Sequence, residues 1–122
     1  MIRRLLVLAA LAATGVLVAV QAASATTGKL EGKVSGNSAF KIDVERNGRD
    51  VKTLKPGRYV IVVKDPATIH NFRLKGPGLN KEITTVGFVG TKTVTVTLKK
   101  GRYVYQCDPH AASGMRGSFV VK

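Results

Sequence analysis

The sequence is poor in the side chains that bind metals or carry out catalysis, and each shortage excludes a class of function. Its 122 residues include one cysteine, two histidines, two methionines and no tryptophan. A single cysteine excludes an intramolecular disulfide, and two histidines are too few for an enzyme that holds several metal ions. No pair of carboxylates and no nucleophile beside a base stands out, so we expect that the protein is not an enzyme.

Acidic residues are also scarce. Seven Asp and Glu stand against 20 Lys and Arg, which gives a formal net charge of +13. Such a surface favours anionic partners, namely an acidic protein, a cell-wall polymer or a lipid surface. Nucleic acid is the usual first candidate for this charge, but the sequence has no recognition motif and begins with an export signal, so we exclude it.

The only long apolar run lies near the N-terminus, at Leu5–Val20. Arg3-Arg4 precede it, and Ala23-Ser24-Ala25 supplies small residues at positions −3 and −1 of a cleavage site. The run is shorter than the roughly 20 residues that a membrane-spanning helix needs. We therefore predict a cleaved signal helix over residues 1–25 and a mature domain over residues 26–122. An uncleaved membrane anchor is the alternative.

The predicted mature chain keeps 18 of the basic residues and all seven acidic ones, a formal net charge of +11. Its length suits one domain with a modest core, and no membrane span is left after cleavage. Without a disulfide, a bound metal is one way to stabilise so small an exported domain. We expect a monomer in the periplasm, on the cell surface or outside the cell.

Helical periodicity is absent after the signal, and short alternating runs separated by turn residues take its place. Asn47-Gly48 predicts a two-residue hairpin turn. The predicted strands are Lys29–Val34, Phe40–Arg46, Arg49–Leu54, Arg58–Lys64, Ile69–Lys75, Thr91–Leu98, Arg102–Cys107 and Gly117–Lys122. About eight strands in so short a domain predict an all-β fold, a Greek-key antiparallel sandwich or barrel.

One short segment occurs twice. Residues 54–60 read LKPGRYV, and residues 98–104 read LKKGRYV. A Gly followed by a Tyr at the start of a strand is similar to the tyrosine corner of Greek-key sandwiches, where the hydroxyl binds upstream backbone. We predict that Tyr59 and Tyr103 are two such corners at one end of the sandwich, and that their strands lead to the other end.

After the signal, every soft or borderline metal ligand belongs to one set. Cys107, His110 and Met115 lie on one short loop, and His70 is the other histidine of the chain. Thiolate and thioether are soft ligands and imidazole is borderline, so the set suits a copper ion that alternates between Cu(I) and Cu(II).

These residues resemble the plastocyanin-type cupredoxin family. The resemblance rests on His70-Asn71-Phe72 and on Tyr105–His110 with Met115 five residues further on, and it extends over residues 28–122. The spacing Cys-x-x-His-x-x-x-x-Met with an upstream His-Asn is specific when it falls on a β-sandwich. Gln106 departs from the plant-type pattern, which often has Tyr there, and the family's acidic patch is absent. A photosynthetic partner is therefore not implied.

The resemblance implies a type 1 copper site with one ion per chain. The Cys107 thiolate and the imidazoles of His70 and His110 are expected to form a trigonal plane, with Met115 as a weak axial ligand. His70 is expected to be buried and His110 to lie near the surface.

Four neighbouring residues are given roles by the same resemblance and by their position. Asn71 is expected to donate its backbone N–H to the ligand sulfur and to hold the adjacent loop with its side chain. Pro109 lacks an N–H and so cannot add a second donor to the sulfur. Ala111 and Ala112 are expected to form a small apolar docking surface beside the exposed histidine.

The function that follows is an exported type 1 copper protein that carries single electrons between redox partners. The basic surface predicts acidic redox proteins as partners, and association with an anionic cell surface is a second expectation. The alternative is a copper-binding or copper-delivery protein, or a structural β-sandwich, without electron transfer.

Overall fold

A computed structural model describes residues 9–19 and 25–122 of the chain. Within them, residues 28–121 form ten strands and one short 3-10 helix, and the longer strands β1, β5 and β9 alternate between buried and more exposed positions. The elements are β1 (Gly28–Val34), β2 (Ile42–Arg46), β3 (Arg49–Asp50), β4 (Thr53–Leu54), β5 (Gly57–Asp65), β6 (Phe72–Gly76), β7 (Leu79–Thr84), β8 (Gly90–Leu98), β9 (Gly101–Gln106), the 3-10 helix (Asp108–Ser113) and β10 (Arg116–Val121).

The strands form two five-stranded sheets that enclose one hydrophobic core. The strand order is β3-β2-β1-β5-β8 in one sheet and β4-β10-β9-β6-β7 in the other. Aromatic rings fill the space between the sheets: Tyr103 stacks on Phe119, and Phe72 stacks on Tyr105. The predicted all-β sandwich is confirmed.

Several details differ from the sequence prediction. The structure has a strand at Leu79–Thr84, where a long connection was expected, and Arg49–Leu54 is divided between the two sheets. The strand predicted at Ile69–Lys75 begins only at Phe72, so His70 and Asn71 lie in the preceding loop. Two strand pairs, β1 with β5 and β4 with β10, are parallel, whereas the other pairs are antiparallel.

The predicted turn chemistry is confirmed at one end of the sandwich. Asn47 and Gly48 both have positive φ values, 52° and 76°, as the expected hairpin turn requires. The Tyr59 hydroxyl donates to the carbonyl of Lys55, four residues upstream. The Tyr103 hydroxyl accepts from the N–H of Lys99, also four residues upstream, and donates to the Pro77 carbonyl. Both tyrosines are therefore corner residues.

The predicted signal helix lies partly outside the described residues. Residues 9–19 are described, and there they are exposed and form neither helix nor strand. Among the described residues, no helix is both long enough and apolar enough to cross a membrane.

Candidate metal centre

The topology brings the four predicted ligands to one end of the sandwich, opposite the two tyrosine corners. Strand β5 starts at a corner and leads to the loop that carries His70, and β9 starts at the other corner and ends directly before Cys107. The 3-10 helix then carries His110, and Met115 immediately precedes β10. We call this the metal end.

Three of the four predicted ligands meet in a small triangle. The Nδ1 atoms of His70 and His110 are 3.0 Å apart. The sulfur of Cys107 lies 3.7 Å from the first nitrogen and 3.4 Å from the second. These are the only three His, Cys, Asp or Glu side chains that cluster in this way within residues 9–19 and 25–122.

The hydrogen bonds determine how His70 can act. Its Nε2 lies 2.9 Å from the carbonyl oxygen of Ala39, which can only accept a hydrogen bond, so Nε2 carries the proton. In the neutral ring Nδ1 then has a free lone pair, and it faces the Cys107 sulfur. This is the tautomer that binds a metal through Nδ1, and the carbonyl holds the ring in that orientation.

The size and chemistry of the triangle fit a copper ion. A point equally distant from three atoms with these separations lies about 2.0 Å from each, close to the 2.0–2.1 Å of zinc–imidazole bonds. Two imidazoles and one thiolate, with a thioether nearby, are the donors typical of blue-copper sites. The burial also matches the prediction, since His70 is fully buried and His110 is partly exposed.

Met115 is held beside this triangle by the backbone. Its carbonyl accepts from the N–H of Cys107, and its N–H donates to the carbonyl of His110. The side chain is fully buried in the same core cluster as Cys107. Gly114 ends the 3-10 helix with a φ of 94°, a conformation that favours glycine, and so turns the chain back towards Cys107.

Asn71 joins the loop before β6 to the loop after β9. Its side-chain oxygen accepts from the N–H of Asp108, 2.6 Å away, and its NH2 group donates to the carboxylates of Asp108 and Glu82. Asn71 is fully buried, so its side chain relies on these three hydrogen bonds instead of on water. The geometry matches the loop-holding role expected for the side chain, whereas a bond from its backbone N–H to the Cys107 sulfur stays a prediction.

An ion-pair network extends from Asn71 to the surface. Arg73 donates to Asp108 at 2.8 Å and to Glu82 at 3.1 Å. Burial alone would raise the pKa of Asp108, but hydrogen bonds from Gln106, Arg73 and Asn71 and the charge of Arg73 lower it overall. Asp108 therefore stays ionised, and Asn71 and Arg73 hold it in place directly after Cys107.

Sequence reasoning missed Phe40, which it treated as the first residue of a strand. The ring is half exposed and lies edge-on to both imidazoles, with its centroid 4.6 Å from that of His110 and 5.6 Å from that of His70. An aromatic residue after the polar segment Ser35–Ser38 was the only local signal. Its contact with the histidines depends on a tertiary approach that no short pattern encodes.

The predicted docking residues lie beside the partly exposed histidine. These are Ala112, which is exposed, and Ala111, which is partly exposed, and the exposed Pro109 lies with them in the 3-10 helix. Phe40 and Ile69 add exposed apolar surface next to the same site. The metal end therefore presents exposed or partly exposed apolar side chains near His110, which we call the apolar rim: Phe40, Ile69, Pro109, Ala111 and Ala112.

Comparison with known proteins agrees with this geometry. The profile of the family described as copper binding proteins, plastocyanin/azurin family, matches residues 16–122. None of the curated protein sequences matches the chain.

Solved structures share the fold at low sequence identity. Dithionite-reduced auracyanin from the photosynthetic bacterium Roseiflexus castenholzii is 20% identical with a TM-score of 0.53, over 81% of this chain and 99% of that one. Rusticyanin from Thiobacillus ferrooxidans is 20% identical with a TM-score of 0.50, over 77% and 76% of the two chains. A structure of reduced rusticyanin is 21% identical with a TM-score of 0.53, over 81% and 82%.

Proposed function

The chain belongs to the plastocyanin/azurin family of copper-binding proteins, and on this premise we propose that it is a one-electron carrier between redox partners. Its cofactor is copper, and the cluster of His70, Cys107, His110 and Met115 is like a type 1 copper site. Copper bound there supplies one-electron chemistry by alternating between Cu(II) and Cu(I).

The observation that carries the proposal is the preformed triangle of two Nδ1 atoms and one sulfur. A single-electron carrier works best when its ligands do not move between oxidation states, because movement adds to the barrier for electron transfer. His70 is fixed by Ala39, and Cys107 is fixed through its neighbour Asp108 by Asn71. His70, Cys107 and His110 would hold the copper ion, and the thioether of Met115 would add a weaker fourth donor.

We propose that electrons enter and leave at the apolar rim around His110. The other three ligands are fully buried, whereas His110 is partly exposed. Ala111, Ala112 and Phe40 surround it with groups that lose little hydration energy when a partner approaches. A partner can therefore bring its own redox centre close to the imidazole ring without removing water from a charge.

Export and the absence of enzymatic activity belong to the same proposal. The apolar run Leu5–Val20 and the cleavage pattern Ala23-Ser24-Ala25 support removal of residues 1–25 and delivery of the domain outside the cytoplasm. The proposal assigns electron transfer rather than catalysis to the metal site, because no second cluster of metal-ligating side chains accompanies it within residues 9–19 and 25–122.

The test is to cycle the copper-loaded chain between oxidation states in the presence of a chelator selective for Cu(I). A carrier should give a reversible one-electron wave in voltammetry and should keep its copper through repeated cycles. A storage or delivery protein should instead lose copper to the chelator once the metal is reduced. Loss of copper in the first few cycles, or an irreversible wave, would reject the electron-carrier function.

A further inference from the structure

The surplus positive charge of the domain is concentrated at the end opposite the metal. Six exposed cations flank the β2–β3 turn, lie in the β4–β5 and β8–β9 turns or follow β10. We call them the basic end: Arg46, Arg49, Lys55, Lys99, Lys100 and Lys122. The ladders place these turns together, since Gly57 pairs with Leu98 and Val121 pairs with both Gly101 and Leu54.

The basic end is not neutralised by the rest of the domain. None of its six cations makes a salt bridge to a residue that the structure describes. The acidic residues compensate cations elsewhere, with Glu31 and Glu45 on Lys33, and Glu82 and Asp108 on Arg73. Two carboxylates lie beside these cations in the β2–β3 hairpin, where Asp50 pairs with Glu45.

The basic end also contains a cleft. Arg46, Lys55 and Lys122 line a space of about 620 Å³ together with Thr27, Thr53 and Tyr59, whose own hydroxyl donates to the Lys55 carbonyl. Cations and hydroxyl groups facing one space are suited to phosphate oxygens.

Most exposed apolar side chains of the domain are found at the other end. Among the described residues these are Phe40, Ile69, Val86 and Val89. Val120 is the exception, because it pairs with Arg102 near the basic end, and it is only 36% exposed. Protein interfaces generally depend on a buried apolar or aromatic anchor. The basic end offers six cations but no exposed aromatic side chain, which favours contact with an anionic surface over docking of a folded protein.

The apolar N-terminal segment joins the domain at this same end. The N–H of Thr27 donates to the carbonyl of Arg58, and β1 begins at Gly28, paired with the start of β5. A cluster of about four to eight Lys and Arg next to an apolar segment is the usual signature of attraction to anionic lipids. The described chain therefore enters the domain at Thr27, beside the basic end.

We propose that the basic end lies against an anionic lipid surface and holds the metal end away from it. The contact is made between the six cations and lipid phosphates. It does not require the N-terminal segment to be retained, because cleavage before Thr26 would leave an additional amino group at the same end. The proposal does not depend on electron transfer.

The test measures partitioning of the full, copper-loaded chain to two kinds of vesicle. One contains phosphatidylcholine alone, and the other contains phosphatidylcholine with about a third phosphatidylglycerol. The variant K99E/K100E changes the basic end, and K41E/K92E is the matched control with the same net charge but its changes nearer the metal end. The N-terminal segment is identical in all three proteins, so its own contribution cancels.

The wild type should bind the anionic vesicles at least about 10-fold more tightly than the neutral ones at low salt. K99E/K100E should lose most of this preference, and K41E/K92E should keep most of it. Equal losses in the two variants would show a response to net charge alone and would overturn the proposal, as would equal binding to both vesicles. A basic-end effect seen only with soluble polyphosphate, and not with vesicles, would also overturn the lipid assignment.

Discussion

Single side chains at the metal end act mainly by holding the loops that present the ligands. Asn71 is not expected to touch the metal, yet it binds both the N–H and the carboxylate of Asp108. Asp108 in turn accepts hydrogen bonds from Arg73 and Gln106. The position of Cys107 therefore depends on a carboxylate that must remain ionised.

Asp108 and Asp43 should affect the pH dependence of stability in opposite directions. Burial raises the pKa of Asp108, but its hydrogen bonds outweigh burial and lower that pKa below the value of about 3.9 expected in the unfolded chain. Its stabilising contribution is complete above that unfolded value and is lost as the pH falls through the lowered folded pKa. Burial, followed by the charges of Asp50 and Glu45, raises the pKa of Asp43, so its unfavourable contribution is relieved as the pH falls.

We therefore expect D108N to flatten the loss of stability between about pH 5 and pH 3, near the carboxylate pKa range, and D43N to steepen it. Denaturant midpoints of the copper-loaded proteins across this range measure both effects. Unchanged slopes in both variants would show that neither carboxylate couples to folding.

At the scale of secondary structure, the sequence predicts what depends on local chemistry. Asn47-Gly48 forms the expected turn because both residues tolerate positive φ, and the two Gly-Arg-Tyr segments form the expected corners. Strand β7 was missed because only Ile83 and Thr84 of its six residues are buried, which leaves little alternation.

Pairing and spatial contact were less predictable. The alternating pattern of β1 does not show whether β5 runs parallel or antiparallel to it, because side chains alternate in both cases. The cluster of His70, Cys107 and His110 was predictable since the chain has no other side chains of that kind. The contact of Phe40 with the two histidines was not predictable, because many other apolar side chains of the sequence could have occupied that position.

The loop that carries His70 depends on one buried carboxylate at the end of β5. Asp65 accepts from the hydroxyl of Thr84 at 2.7 Å and from the N–H of Ala67 at 3.2 Å. D65A would leave both buried donors unpaired, so we expect a loss of about 2–4 kcal/mol in the free energy of unfolding. D50A, at an exposed carboxylate, should change it by less than about 0.5 kcal/mol. Similar values for the two variants would contradict this role.

The tyrosine corners should stabilise the fold without affecting the copper site. Y59F removes one hydrogen bond and should cost about 1 kcal/mol. Y103F removes two and leaves the Pro77 carbonyl without its donor, so it should cost more. Chemical denaturation gives the stabilities and the visible spectrum reports the site. A spectral change in either variant would mean that the two ends of the sandwich are coupled.

For the whole molecule, the two ends differ in chemistry. One carries a metal centre with an apolar rim, and the other carries the basic end. Strands β5 and β9 join them, so the distance between the ends is set by the length of the sheets. This separation allows a surface contact at one end and a redox partner at the other at the same time.

The rate of electron transfer to an acidic partner should depend on both charge and the apolar rim. Raising the ionic strength from 0.01 M to 0.15 M shortens the Debye length from about 30 Å to about 8 Å, so the bimolecular rate should fall several-fold. A112E should slow transfer while the copper spectrum stays nearly unchanged, and K100E, far from the rim, should act only through charge. Stopped-flow kinetics measure these rates. Indifference to A112E would place electron exit on another face.

The most direct test of the copper assignment is the visible absorption spectrum of the chain during titration with Cu(II). Coordination by the Cys107 thiolate in a trigonal site predicts an intense band in the orange-red region that saturates at one copper per chain. C107S should abolish the band, and its far-ultraviolet circular dichroism should keep the β-sheet signal. A wild-type protein that binds Cu(II) and stays colourless would contradict the account, as would a band that survives in C107S.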